Sequence, residues 1–189
     1  ALPVATAGSL NIPGLTALSC VRTVTLGEAD TVLVGGATGA VGLMVCQLAA
    51  RTGARVNGTA SPRTHDFVRS LGVEPVTYGE GLADRVAELG QITAVIDCHG
   101  REALDAGVQL GVARDRIVAI AGYGAVDELG VLNVERAART PENLAALATD
   151  VAAGKLMFPV AATFSLDDVS DAFTALGQPH KPGKIVVTP

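Results

Sequence analysis

The feature that most restricts how this chain can fold is the run Thr31–Gly42, TVLVGGATGAVG. Five residues of strand character lead into Gly36-Ala-Thr-Gly39-Ala-Val-Gly42, and the apolar stretch Ala40–Thr52 reads as a helix. Glycine permits the tight turn between strand and helix and lets backbone N–H groups approach an anion facing the helix N-terminus. A strand, such a loop, a helix and then a second strand candidate at Arg55–Ala60 form the order a dinucleotide pyrophosphate requires. Gly36 and Thr38 are therefore candidate contacts, within a cradle running from Gly36 to Gly42.

The rest of the chain repeats that alternation. Further strand candidates are Pro75–Tyr78, Ala94–Cys98, Arg116–Ala121 and Lys184–Thr188. Helical patterns occupy Pro62–Leu71, Leu82–Leu89, Arg101–Leu110, Glu142–Ala153 and Leu166–Leu176. Ser61-Pro62 and Thr140-Pro141 are cap-then-proline starts, and Gly53 and Gly72 sit where helices should stop. Alternating strands and helices predict a Rossmann-type α/β fold, a doubly wound parallel sheet of about six strands with helices on both faces. With 49% apolar but only 3% aromatic residues, its core must be aliphatic, which suits such a sheet. One domain is expected over 1–189, with residues 1–13, which carry two prolines, as an extended lead-in.

The end of the second strand separates the two nicotinamide cofactors. An NAD site places a carboxylate there for the ribose hydroxyls. Here the chain reads Gly58-Thr-Ala-Ser61-Pro-Arg63, with no carboxylate before Asp66. A hydroxyl at Ser61 and a guanidinium at Arg63 suit a 2′-phosphate, which arginine binds through paired donors, so NADP(H) is the expected cofactor. The alternative for Arg63 is a solvated first-turn side chain.

A net charge of −5 argues against nucleic acid or an anionic membrane as the main partner. No apolar run is read as a membrane span, and nothing resembles a signal peptide. The three cysteines, Cys20, Cys46 and Cys98, are far apart in sequence and read as small buried hydrophobes of a cytoplasmic protein. Asp97, Cys98 and His99 invite a metal reading, but neighbours on a strand point to opposite faces, so no metal site is expected. Asp167, Asp168 and Asp171 at a helix start are read as dipole partners.

Gly14-Leu-Thr-Ala17, GGATGAVG, Gln47-Leu-Ala49, Gly53-Ala54, Gly58-Thr-Ala-Ser61, Leu71-Gly72 and Gly183-Lys-Ile-Val186 occur here in one order. That order resembles the medium-chain dehydrogenases/reductases, and within them the zinc-independent quinone oxidoreductase branch. The resemblance implies that Gly39, Ala40 and Val41 offer backbone groups to the pyrophosphate. It implies that Arg63 and Tyr78 contact the 2′-phosphate and that Thr16 lies near the nicotinamide carboxamide. It places Cys98, Ile120 and Ala121 on the nicotinamide side. Cys98-His99-Gly100 departs from the usual loop at that place. A GroES-like catalytic domain precedes this region in the family, and this chain without it is expected to be inactive.

The reading is the NADPH-binding domain of a quinone oxidoreductase-like reductase, passing hydride to a small-molecule quinone or activated alkene. A homodimer is expected through sheet edges at Val131–Val134 or Lys184–Thr188. The alternatives are an enoyl reductase domain of a polyketide synthase and a non-catalytic dinucleotide-sensing protein. No catalytic residue is assigned.

Overall fold

The computed structural model describes residues 1–189, the side chain of Tyr123 excepted. Six strands form one parallel sheet: β1 (Thr31–Gly35), β2 (Arg55–Ala60), β3 (Glu74–Thr77), β4 (Ala94–Asp97), β5 (Ile117–Ala119) and β6 (Leu132–Asn133). Their order, β3-β2-β1-β4-β5-β6, reverses direction between β1 and β4. Loops leave the carboxyl ends of those two strands in opposite directions and open a crevice there.

Side-chain alternation builds a core on each face. Val32, Val34, Ile96 and Val118 pack on one side, and Leu33, Val95, Ile117 and Ala119 pack on the other. The first face is covered by α1 (Val4–Val24), α2 (Ala40–Ala50), α3 (His65–Ser70) and α7 (Pro141–Ala152). The second is covered by α4 (Leu82–Glu88), α5 (Glu102–Gln109) and α6 (Tyr123–Leu129). The expected doubly wound sheet is thus observed.

The expected extended lead-in at residues 1–13 is corrected. From Val4 onward the chain is helical, and Pro13 lies inside α1. A proline inside a helix costs about 3 kcal/mol. Leu10, Leu15, Val21 and Val24 are buried against α2 and α7, and each buried side chain of this size contributes about 1.5–3 kcal/mol. Burial outweighs the proline, and that balance lies in the partners rather than in the segment. The expectation of no membrane-length apolar run is corrected as well. By length and composition α1 could cross a membrane, but 56% of its most apolar stretch is buried, as in a core helix.

The sixth strand is also corrected. Lys184–Thr188 is a strand, β8, but it lies outside the main sheet. It pairs in parallel with β7 (Val160–Ser165), and α8 (Val169–Leu176) connects the two. Leu132–Asn133 takes the edge position instead. The β7–β8 unit is tied to the glycine loop, because the Gly183 N–H donates to the Thr38 carbonyl at 3.0 Å.

Candidate dinucleotide site

The turn after β1 carries Gly36 at φ +73°, the left-handed region where a side chain would be strained. A Cβ there would also stand 2.8 Å from the His99 Cβ. Thr59 of β2 latches the turn: its hydroxyl accepts the Gly36 N–H at 2.8 Å and its carbonyl the Ala37 N–H at 3.0 Å. Gly42 lets α2 start directly beneath, since a Cβ there would meet the Gly36 carbonyl oxygen at 2.1 Å. Gly39 caps α2 in extended conformation, and no side chain accepts from the first-turn amides of Ala40 and Val41. Uncapped amides at a helix N-terminus over a glycine turn suit a pyrophosphate. This cradle fits the group that the glycine loop implied.

Above it lies a cavity of about 860 Å³, to which Gly36, Thr38, Gly39, Ser61, Arg63, Tyr78 and Cys98 contribute. Among the described residues no Asp or Glu lines it, while Arg63, His99, His180 and Lys181 do. A smaller cavity of about 260 Å³ shares Thr59, Tyr78 and His99 with it and reaches down to Gly35, Asp97 and Ala103. Tyr78 stands on a braced loop: Arg85 donates to the carbonyls of Thr77, Gly79 and Glu80 at 2.9, 2.9 and 2.8 Å.

Several sequence candidates stand apart from the wall of the larger cavity. Ala40 and Val41 form the first turn of α2, next to Gly39, and are not on that wall. Thr16 is buried in α1, where its hydroxyl accepts from the Arg139 guanidinium at 3.2 Å. Ile120 and Ala121 follow β5 and line neither cavity.

Asp97 escaped the sequence reading except as a metal ligand to be dismissed. It is fully buried at the end of β4, and its carboxylate accepts four backbone N–H groups. Oδ1 takes those of His99 and Gly100 at 2.9 and 2.7 Å, and Oδ2 those of Ala121 and Gly122 at 3.2 and 3.0 Å. One side chain thereby joins the loops after β4 and β5. An acid ending an apolar strand shortly before a glycine was the available signal. Thr59 and Lys181 were also overlooked, and His99 was weighed only as a metal ligand, although all three line the larger cavity.

Burial pushes the Cys20 and Cys46 thiols up to about 12, and it holds the Cys98 thiol well above its usual range. Thiols so shifted stay protonated and are poor nucleophiles. Among the described residues no group of three or more His, Cys, Asp or Glu side chains is placed to hold a metal ion.

The zinc-binding dehydrogenase family profile matches residues 71–187. An acryloyl-coenzyme A reductase of Metallosphaera sedula is 28% identical over 195 residues, covering 96% of this chain and 58% of that protein. A phenolphthiocerol/phthiocerol polyketide synthase of Mycobacterium tuberculosis is 30% identical, over 86% of this chain and 8% of the other. The structure of the quinone oxidoreductase from Coxiella burnetii superposes with a TM-score of 0.78 at 27% identity, covering 94% of this chain and 58% of that one. The chain therefore spans little more than half the length of the first and third of these.

Proposed function

This chain belongs to the zinc-binding dehydrogenase family of the medium-chain dehydrogenases/reductases, and from that premise we propose that it is the NADPH-binding domain of a reductase. Its acceptor is a quinone or an alkene conjugated to a carbonyl. The observation carrying this reading is the cavity over the glycine loop, rimmed by Arg63, His99, His180 and Lys181 with no carboxylate on its wall among the described residues. A carboxylate there would accept ribose hydroxyls and repel a 2′-phosphate, whereas this rim attracts one. The similarity to a quinone oxidoreductase and an acryloyl-coenzyme A reductase supports the acceptor class.

NADPH, when bound, supplies the hydride. The residues of this chain bind and orient it. The amides of Gly39, Ala40 and Val41 meet the pyrophosphate, and Arg63, Ser61 and Tyr78 hold the 2′-phosphate. Asp97 fixes the backbone of His99, Gly100, Ala121 and Gly122 beside the nicotinamide, and Thr16 lies on that side too. The walls around the acceptor belong to the GroES-like domain of the family, so dinucleotide affinity is the measurement suited to this chain. We place the protein in the cytoplasm, where its three free thiols stay reduced.

Calorimetry on this chain is expected to give tighter binding of NADPH than of NADH. A charge-assisted bond from Arg63 contributes about 1.5–3 kcal/mol. Arg63→Ala should then weaken NADPH roughly tenfold to a hundredfold while leaving NADH little changed. Equal wild-type affinity for the two cofactors would remove the assignment of this corner.

A homodimer formed through the outer edge of β6 completes the proposal. That strand is paired on one side only, by β5, and such an edge can take a second copy. Light scattering at micromolar concentration should return twice the chain mass, and a monomer mass would count against the edge.

A further inference from the structure

The loop that joins α8 to β8 comes from outside the main sheet, yet it forms part of the wall over the glycine turn. Gly177, His180, Lys181 and Pro182 line the larger cavity together with Thr38 and Gly39. The far end of this loop is fastened to the glycine loop itself. The Gly183 N–H donates to the Thr38 carbonyl at 3.0 Å, and Gly183 bridges Gly39 in parallel. Immediately beyond, the Lys184 N–H donates to the Pro159 carbonyl at 3.0 Å. Gly183 has φ +117°, and a Cβ there would run into the Pro159 carbonyl oxygen, so glycine is what lets the backbones meet.

That fastening limits where the charge of Lys181 can go. Two residues of chain separate Cα atoms by at most about 7 Å, so the Lys181 backbone stays close to Gly183 and hence to Thr38 and Gly39. Pro179 and Pro182 bracket His180 and Lys181. Proline fixes its own φ and holds the residue before it extended, which leaves Lys181 few backbone alternatives. From there the four-carbon lysine stem reaches across the cavity that Lys181 and Gly39 both line. Gly39 is the N-cap of α2, and the amides of Ala40 and Val41 beyond it have no side-chain acceptor. Among the described ion pairs Lys181 has none, and no Asp or Glu lines the cavity to neutralise it. Arg63 enters the same cavity from elsewhere, on the turn that follows β2.

We propose that Lys181 is a cofactor-binding residue whose ammonium meets the pyrophosphate received by the α2 amides. The inference rests on the dinucleotide reading above. NADPH and NADH carry the same pyrophosphate, so a cation placed there strengthens both equally. Lys181 thus sets affinity for the part the two cofactors share, while Arg63 sets the choice between them. The bound pyrophosphate then ties the β7–β8 unit to the glycine loop a second time, beside the Gly183 hydrogen bond. Lys181 is exposed, so solvent screens its charge, and the effect expected of it is about fivefold to tenfold in affinity.

The test is calorimetry on this chain with NADPH and NADH, together with displacement of NADPH by adenosine 2′-phosphate, which has no pyrophosphate. Lys181→Met keeps the stem and removes the charge. It should weaken NADPH and NADH by the same fivefold to tenfold, leaving their ratio at the wild-type value. Adenosine 2′-phosphate should bind this variant as it binds the wild type. Lys181→Arg, which restores a phosphate-binding cation, should return both cofactors to near wild-type affinity. If Lys181→Met weakens NADPH and adenosine 2′-phosphate but spares NADH, the charge serves the 2′-phosphate and the inference is overturned. Unchanged affinity for both cofactors overturns it as well, since Lys181 is then a solvated surface charge. Failure of the wild type to bind any of the three ligands instead overturns the dinucleotide reading, and this inference with it.

Discussion

Gly42→Ala is expected to destabilise the fold by about 3 kcal/mol or more, read as a drop in the urea midpoint at unchanged slope. The added methyl would stand 2.1 Å from the Gly36 carbonyl oxygen and 2.8 Å from its carbon. Both atoms belong to backbone that Thr59 already holds in place. Neither can swing aside as a side chain would, so α2 must move away from β1 or the turn must open. Either movement displaces the amides of Ala40 and Val41, so NADPH affinity should fall with stability. Gly39→Ala is the control. Gly39 has φ −72°, and the nearest atom to an added Cβ is 3.5 Å away. That change should cost well under 1 kcal/mol. If the two variants unfold at the same urea concentration, the close approach of strand and helix is not what makes glycine necessary at Gly42.

Asp97→Ala should cost on the order of 4 kcal/mol, because it leaves four backbone N–H groups at a buried point without their acceptor. Asp97→Asn should cost about half of that. The amide keeps one oxygen for two of the donors and turns its NH₂ toward the other two. Because the four donors belong to the loops after β4 and β5, the damage should be localised. Hydrogen exchange should quicken at His99, Gly100, Ala121 and Gly122 before it does in β1 and β2. An alanine variant within 1 kcal/mol of the wild type would mean that water replaces the carboxylate and that Asp97 does not hold the two loops together.

Gly42 and Asp97 differ in how far each could be read beforehand. The Gly36–Gly42 cradle was legible because its requirements are local. Strand alternation, a left-handed turn residue and a small residue where helix meets strand all lie within twelve consecutive positions, Thr31 to Gly42. The sequence led us to expect Arg63 and Tyr78 at one corner of the site, and both line the cavity. Asp97 was visible only as a residue type. Its role depends on Ala121 and Gly122, which lie 24 and 25 residues further on.

From its sequence alone the chain is determined to form a parallel α/β sheet with an anion cradle after β1. Alternation, glycine conformation and helix capping act between near neighbours and require no knowledge of what packs where. Tertiary structure decided that residues 4–13 are helical despite Pro13, since α2 and α7 bury the face of α1 that offsets the proline. It also decided that Lys184–Thr188 pairs with Val160–Ser165 rather than extending the main sheet, and that Arg139 meets Thr16 across 123 residues of sequence. In each case the deciding free energy comes from a partner distant along the chain, and only the folded backbone brings that partner into contact.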